Sequence, residues 1–396
     1  DCAMSAFAMM FFQDAALLEF QRRMQESINR NNLNTMFNVE SVPKDTQLRD
    51  VLDQCPTDKL EKVYADFFYH LQRSKYLDAY QFYEGMYLMP VDGSQYFSSQ
   101  KISCPSCLTK TSKKGVIRYS HQILQAVIVH PDNKQVIPLV PEVIQNTDGT
   151  EKQDCEINAG KRFIKKFRKT HPKLKIIYGG DDLFSNQPFI DELKAANMSF
   201  ILVAKPSSHK ILYEWFTDIK QMGEACRLEF TDFKGRDHIY EWVNEIPLNG
   251  TKDADDVNFF YYRLVDKGKI TYRNSWVTDI LIDENNVTQL VKGGRARWKV
   301  ENEAFNTLKN QGYHIEHNFG HGQHNLSMIF FLLNVLAFFV HQIFELTDLH
   351  YQKCRAKFSA RKEFWNQLRC TIRILLFKTW EDLLAFIICP PQARAP

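Results

Sequence analysis

The chain lacks a strong charge of either sign. Lys and Arg number 50 against 47 Asp and Glu, a formal net charge of +3 over 396 residues. The overall balance therefore announces neither a polyanionic nor a polycationic partner. A disulfide framework is also missing. The nine cysteines are an odd number without regular spacing, which points to reduced thiols in a cytosolic setting rather than a secreted scaffold. No secretory leader is visible from Asp1 onward. The strongest apolar run, Leu326 to Val340, is interrupted by Asn334 and followed by His341, Gln342 and Glu345. It falls short of the ~20 residues that a membrane span needs, so a buried helix is expected and no membrane partner. Internal repeats and low-complexity tails are absent as well.

What is present is the composition of a folded protein, 44% hydrophobic and 24% charged, with 30 Phe to fill its cores. The length implies two or three domains rather than one core. The basic residues are also unevenly placed. Lys161, Arg162, Lys165, Lys166, Arg168, Lys169, Lys173 and Lys175 crowd one segment, and Arg355, Lys357, Arg361, Lys362, Arg369 and Arg373 another. Such patches on a nearly neutral chain suit a phosphate backbone; the competing reading is ordinary solvated helix faces.

The periodicity predicts an α/β protein in five segments. Residues 1–86 read as helical, with Leu60, Val63, Tyr64, Phe67, Phe68 and Leu71 on one stripe behind Thr57 as N-cap. From residue 87 the pattern changes to strands over 87–96, 119–130 and 136–144, the last two joined by the turn Pro131-Asp132-Asn133. Helices over 154–171 and 187–197 lead into strands 174–180 and 200–204. This gives a mixed sheet over 87–211, three antiparallel strands and then βαβ units. Alternation at Leu228/Phe230, Tyr240/Trp242, Phe259/Tyr261 and Ile270/Tyr272 predicts an antiparallel β insertion over 212–278. Residues 279–325 return to the core with a late helix, and 326–396 form a C-terminal helical region.

Three acids stand out in this frame. Asp92 ends the run Tyr87–Val91, Asp181 ends Leu174–Gly180, and Glu301 lies four residues after Arg297, on one face if the segment is helical. Val300, Ala304 and Leu308 form a neighbouring apolar stripe that would seat that helix. Carboxylates at strand ends and on a late helix, beside an arginine, are a way to hold hard divalent cations for phosphate chemistry. Each acid also has a bland reading. Asp92-Gly93 is a common turn dipeptide, Asp182 competes with Asp181, Glu303 competes with Glu301, and Arg297–Glu301 could be a surface ion pair worth only ~0.5 kcal/mol.

The motifs Val91-Asp92-Gly93-Ser94, Gly180-Asp181-Asp182-Leu183-Phe184 and Arg297-Trp298-Lys299-Val300-Glu301-Asn302 together resemble those of the DDE transposases of bacterial insertion sequences. The flanking segments Asp148–Glu156 and Glu316–Gly322 are similar to that family too, so the likeness spans nearly the whole chain. It implies an RNase H-like core with a β insertion before the last acid. It also implies Asp92, Asp181 and Glu301 as catalytic ligands of Mg²⁺ or Mn²⁺, and nicking of transposon ends followed by joining of the 3′-OH to target DNA. The family pattern selects Asp181 over Asp182 and Glu301 over Glu303. Terminal inverted repeats and target DNA would be the partners, with a homodimer in the synaptic complex and a place at the bacterial nucleoid in the cytoplasm. Arg295, Arg297, Lys309, Lys165, Lys166 and Lys169 are the expected DNA contacts. Two positions depart from the family: Gly294 stands where a Tyr precedes the Arg by three, and Leu308 where a Lys follows the Glu by seven. The nearest lysine, Lys309, lies about 80° round an ideal helix from Glu301. The alternatives are a non-catalytic DNA-binding descendant of such an enzyme, and a glycosidase with paired carboxylates.

Cys104-Pro105-Ser106-Cys107 is half of a candidate structural zinc site, with His121 and Cys155 as candidate completing ligands that lack motif spacing; the competing readings are ordinary loop thiols and redox chemistry. His314, His317, His321 and His324 follow Gly312 in a Gly-rich loop. For these, DNA contact or structural hydrogen bonding is expected rather than a metal cluster.

Overall fold

The computed structural model describes residues 1–144 and 154–390. The part of the Asp148–Glu156 motif before Asp154 lies outside the described residues. Twelve strands join in one mixed sheet. In chain order they are β1 (Gln81–Tyr83), β2 (Met86–Ser99), β3 (Leu108–Thr111), β4 (Ile117–Ile128), β5 (Ile137–Pro138), β6 (Glu142–Ile144), β7 (Ile176–Gly180), β8 (Ser199–Val203), β9 (Cys226–Thr231), β10 (Arg236–Pro247), β11 (Asp256–Asp266) and β12 (Lys269–Thr278). The main path across the sheet is β3-β4-β2-β7-β8-β12-β11-β10-β9.

The expected change from antiparallel to parallel pairing is present. Strand β4 pairs antiparallel with β2, β5 and β6, while β2, β7 and β8 run parallel. Helices Glu156–Thr170 and Gln187–Ala195 make the crossovers. Their apolar faces, Phe163, Ile164 and Phe167 on one and Phe189, Ile190 and Leu193 on the other, are buried against the sheet. A parallel pair needs such a crossover, and burial on both faces explains why β7 reads as a continuous apolar run.

The antiparallel strands expected within 212–278 are present as β9 to β12. The stretch opens, however, with the helix Lys210–Gln221, and its last strand β12 pairs antiparallel with β8, so the insertion prolongs the core sheet. Alternation reports which face is buried but not which edge a strand joins, and here the edge was the one β8 left free. Asp92 does not end its strand: β2 runs on to Ser99, with Asp92 opposite Gln125 of β4.

The helical regions at the two ends of the chain form one cluster. Phe11, Phe12, Leu17, Phe20, Leu33 and Leu52 pack with Ile329, Tyr351, Trp365, Leu368 and Leu384 in a core of their own. Between that core and the sheet runs the helix Leu326–Thr347. Among the described residues it alone is long and apolar enough to cross a membrane, and 78% of its most apolar window is buried inside the protein. It is a core helix, as its interrupting Asn334 suggests; the amide donates to the Tyr313 carbonyl.

Asp53 ties this helix to the N-terminal region. Its carboxylate accepts backbone N–H groups of Gln323, His324, Asn325 and Leu326 at 2.9–3.0 Å, the turn that leads into the helix and its first residue. Partial burial would raise this carboxyl, but the four donors outweigh it and hold it below its usual range. Asp53→Ala is expected to cost about 1–2 kcal/mol in urea unfolding at pH 7, a cap's worth after allowance for solvent screening. A depressed folded pKa stabilises above the unfolded value, roughly 4. The wild-type advantage should thus be complete at neutral pH and vanish as pH falls through the folded pKa.

Candidate functional site: a carboxylate cluster and a thiol–imidazole cluster

The register of the sheet brings the first two acids together. Tyr87 to Pro90 of β2 pair in parallel with Ile176 to Gly179 of β7. Asp92 and Asp181 are each two residues beyond the last pair, so they stand side by side where the parallel pairing ends. Ligand chemistry gathers at the carboxyl ends of parallel strands because the chain leaves the sheet there and side chains are free to converge.

Glu301 comes from a late segment of the chain. The helix Val287–Arg295 is followed by a turn and then by a π-helical stretch, Val300–Phe305. An α-helical face shared by Arg297 and Glu301 was expected. Instead, the Arg297 guanidinium lies 4.0 Å from the Asp92 carboxylate. The extra residue per turn of a π-helix re-aims side chains, and such turns are frequent at functional sites. The expected apolar stripe does seat this segment: Val300, Ala304 and Leu308 are buried.

The electrostatics join these groups. Burial raises the Asp92 carboxyl; Arg297 opposes the rise, while Asp181 and Glu301 add to it. Asp181, Glu301 and Arg297 thus all lie close enough to act on the charge of Asp92. Asp182 and Glu303 point elsewhere. Asp182 accepts the Lys205 N–H at 2.7 Å and the Ser208 hydroxyl at 2.6 Å. Glu303 lies beside Lys299 and lines a groove with Gln135 and Arg361.

A fourth acid, Glu156, was not singled out from the sequence. At the start of its helix, its carboxylate packs directly on Gly93, where any Cβ would collide with it. Burial raises this carboxyl, and Asp181 and Asp92 raise it further. The local signal was Asp154-Cys155-Glu156, but only the fold shows that this helix starts over β2. An acid with a raised folded pKa destabilises the protein once pH exceeds its unfolded value, and the penalty is complete above the folded one. Glu156→Gln should therefore stabilise metal-free protein at pH 7 by about 1 kcal/mol or less, a like-charge effect. The gain should disappear near pH 4 and shrink when Mg²⁺ is added, as urea midpoints can show.

The expected DNA contacts are dispersed. Lys165 and Lys166 are exposed but lie 3.7 Å from Glu192 and 2.8 Å from Glu142, while Lys169 is exposed. Arg295 lies over the Tyr272 ring, 4.6 Å from its centroid, and Lys309 pairs with Glu316 at 2.9 Å. In the C-terminal cluster Arg361 pairs with Glu345, Arg373 with Glu19, and Arg369 donates to the Gln13 carbonyl. Much of that cluster holds helices together. The two departures from the family have packing reasons. A side chain at Gly294 would strike the Trp276 indole, and Leu308 is 1% exposed, where a lysine could not be solvated.

A second cluster lies in the connection after β2. Cys104, Cys107, His121 and His321 bring their ligand atoms within 4.8 Å of one another and could hold a metal ion such as zinc. Burial pushes the Cys107 thiol up to about 11 and the His121 imidazole down to about 4, so both are neutral in the absence of a cation. Two expectations change here. Cys155 is exposed and not part of the cluster, and His321 belongs to it rather than to a DNA-contacting or merely structural set. No family model matches the chain, and no curated protein matches it.

Proposed function

We propose that the protein is a DNA transposase of the DDE type, cutting transposon ends and joining the 3′-OH to target DNA. The observation that carries this reading is the closeness of Asp181, of Glu301 from a late π-helical turn, and of Arg297 to Asp92, just past the end of the parallel β2–β7 pairing. The sheet supports an RNase H-like core, since antiparallel strands are followed by parallel βαβ units, with Asp92 and Asp181 just past the end of the β2–β7 pairing.

Asp92, Asp181 and Glu301 are hard oxygen donors and would hold Mg²⁺ or Mn²⁺. Bound there, such ions polarise phosphate oxygens and lower the pKa of a water or 3′-hydroxyl for in-line displacement. The chain's own groups set the geometry. Arg297, a quarter exposed beside Asp92, is placed to bind a phosphate oxygen through its fork. Trp298 beside it is 44% exposed, a flat surface on which an unpaired base can stack. Glu156 adds negative charge behind Asp92 and strengthens the demand for cations. Zinc at Cys104 and Cys107 would be a structural ion with no part in this chemistry. Terminal-repeat and target DNA, a homodimeric synaptic complex and action at the bacterial nucleoid belong to the same proposal.

The test is cleavage of DNA carrying the ends of the surrounding element. The protein should nick at those ends with Mg²⁺ or Mn²⁺, and not with EDTA. Binding without cleavage under every metal condition would favour the second reading, a non-catalytic descendant.

A further inference from the structure

We propose that Cys104, Cys107, His121 and His321 bind one structural zinc ion, which clamps the β2–β4 hairpin to the loop that follows the Glu301 segment. The assignment does not rest on the phosphoryl-transfer reading.

Five of the six distances between the ligand atoms match the edges of a tetrahedron, and the sixth, between Cys104 and His321, is within 4.8 Å. Cys104 Sγ and Cys107 Sγ are 3.7 Å apart, and His121 Nε2 lies 3.5 Å from each. His321 Nε2 lies 3.5 Å from Cys107 Sγ and 3.1 Å from His121 Nε2. Tetrahedral zinc with ordinary Zn–S and Zn–N bonds requires edges of about 3.8 Å between sulfurs, 3.6 Å between sulfur and nitrogen, and 3.3 Å between nitrogens. All five distances lie within about 0.3 Å of these lengths, close to the tolerance for a metal site. A Rieske-type iron–sulfur cluster is excluded by the same numbers: there the thiolates and imidazoles sit on different irons and could not approach to 3.5 Å.

The surroundings orient the ligands. His321 Nδ1 donates to the Gly322 carbonyl at 2.9 Å, which leaves the Nε2 lone pair facing the cluster. The Cys107 N–H donates to the Cys104 carbonyl at 3.1 Å, and the Cys104 N–H donates to Cys107 Sγ at 3.4 Å. The turn thus aims both sulfurs at one point. Tyr96 stacks on His121, and Phe97 packs 4.4 Å from His321, centroid to centroid. Two thiolates with two imidazoles, converging inside an aromatic wall, are a preferred zinc set.

The site joins distant parts of the chain. His121 lies on β4 and the cysteines just after β2, the strand that carries Asp92. His321 lies beyond the Glu301 segment, one residue before the Gly322–Leu326 turn that Asp53 secures.

Full-length protein purified without chelator is expected to contain about one zinc per chain, and the Cys104→Ser/Cys107→Ser double variant less than about a tenth of that. Cobalt substituted into the wild-type protein should give a thiolate-to-metal charge-transfer band and the d–d bands of a tetrahedral S₂N₂ site. His321→Ala and His121→Ala should each change the d–d bands and release zinc faster to a chelator. Stripping zinc should lower the melting temperature and speed amide exchange in 312–325. If the double variant is insoluble, the wild-type cobalt spectrum and the two histidine variants carry the test. Folded wild-type protein without zinc or cobalt bands would overturn the assignment, as would iron in place of zinc or a cobalt spectrum indifferent to His321→Ala. None of these readouts involves DNA, so their failure leaves the transposase reading untouched and the reverse also holds.

Discussion

Asp92→Ala, Asp181→Ala and Glu301→Ala are each expected to lower Mg²⁺-dependent cleavage of element-end DNA by a thousandfold or more, roughly the upper range for loss of one group that stabilises charge at a reacting centre. DNA binding should persist, because the basic surface is unchanged and removing a carboxylate removes repulsion from phosphate. The paired controls decide which acids belong to the site. Asp182→Ala should retain cleavage but destabilise the protein, since its carboxylate holds the Lys205 N–H and the Ser208 hydroxyl. Glu303→Ala should change little, because that residue turns toward Lys299. Cleavage at the wild-type rate by any of the three variants would remove that residue from the site. A dead Glu303→Ala beside an active Glu301→Ala would move the third ligand by two positions.

Trp365→Ala is expected to cost about 3–5 kcal/mol, the usual range for emptying a large aromatic site in a core. Trp365 is fully buried, with ring centroids of His341 at 4.0 Å, Phe11 at 5.4 Å and Trp380 at 6.4 Å. It therefore touches the first helix, the long core helix and the last helix at once. Chemical denaturation at neutral pH measures the loss. Because both ends of the chain share this core, amide exchange should rise together in 2–37 and 361–388 rather than in the C-terminal segment alone. A loss below about 1 kcal/mol, the scale of a surface substitution, would show that the cluster does not depend on this ring.

Local pattern determined much of the scaffold. Period-two and period-3.6 runs located β2, β4, β7 and β8 and their crossover helices, because each buries a face whose spacing is fixed by the backbone. The stripe Val300, Ala304 and Leu308 and the buried character of Leu326–Thr347 were legible for the same reason. Chain order together with the family resemblance named Asp92, Asp181 and Glu301, and the fold brings the last two within electrostatic reach of Asp92.

What the tertiary structure decided concerns partners far apart in sequence. Parallel register set Asp92 beside Asp181, and only it put Glu156 against Gly93. The turn between the helix Val287–Arg295 and the π-helical stretch places Arg297 beside Asp92 rather than in an i, i+4 pair with Glu301. The insertion became part of the core sheet because a free edge at β8 accepted β12. Basic residues that read as a phosphate surface proved, around Arg361 and Arg373, to hold helices together. His321 reached Cys107 across 214 positions. No local spacing encodes such a contact; it exists because β4, the turn after β2 and the Gly-rich loop are brought to one place by cores that form elsewhere.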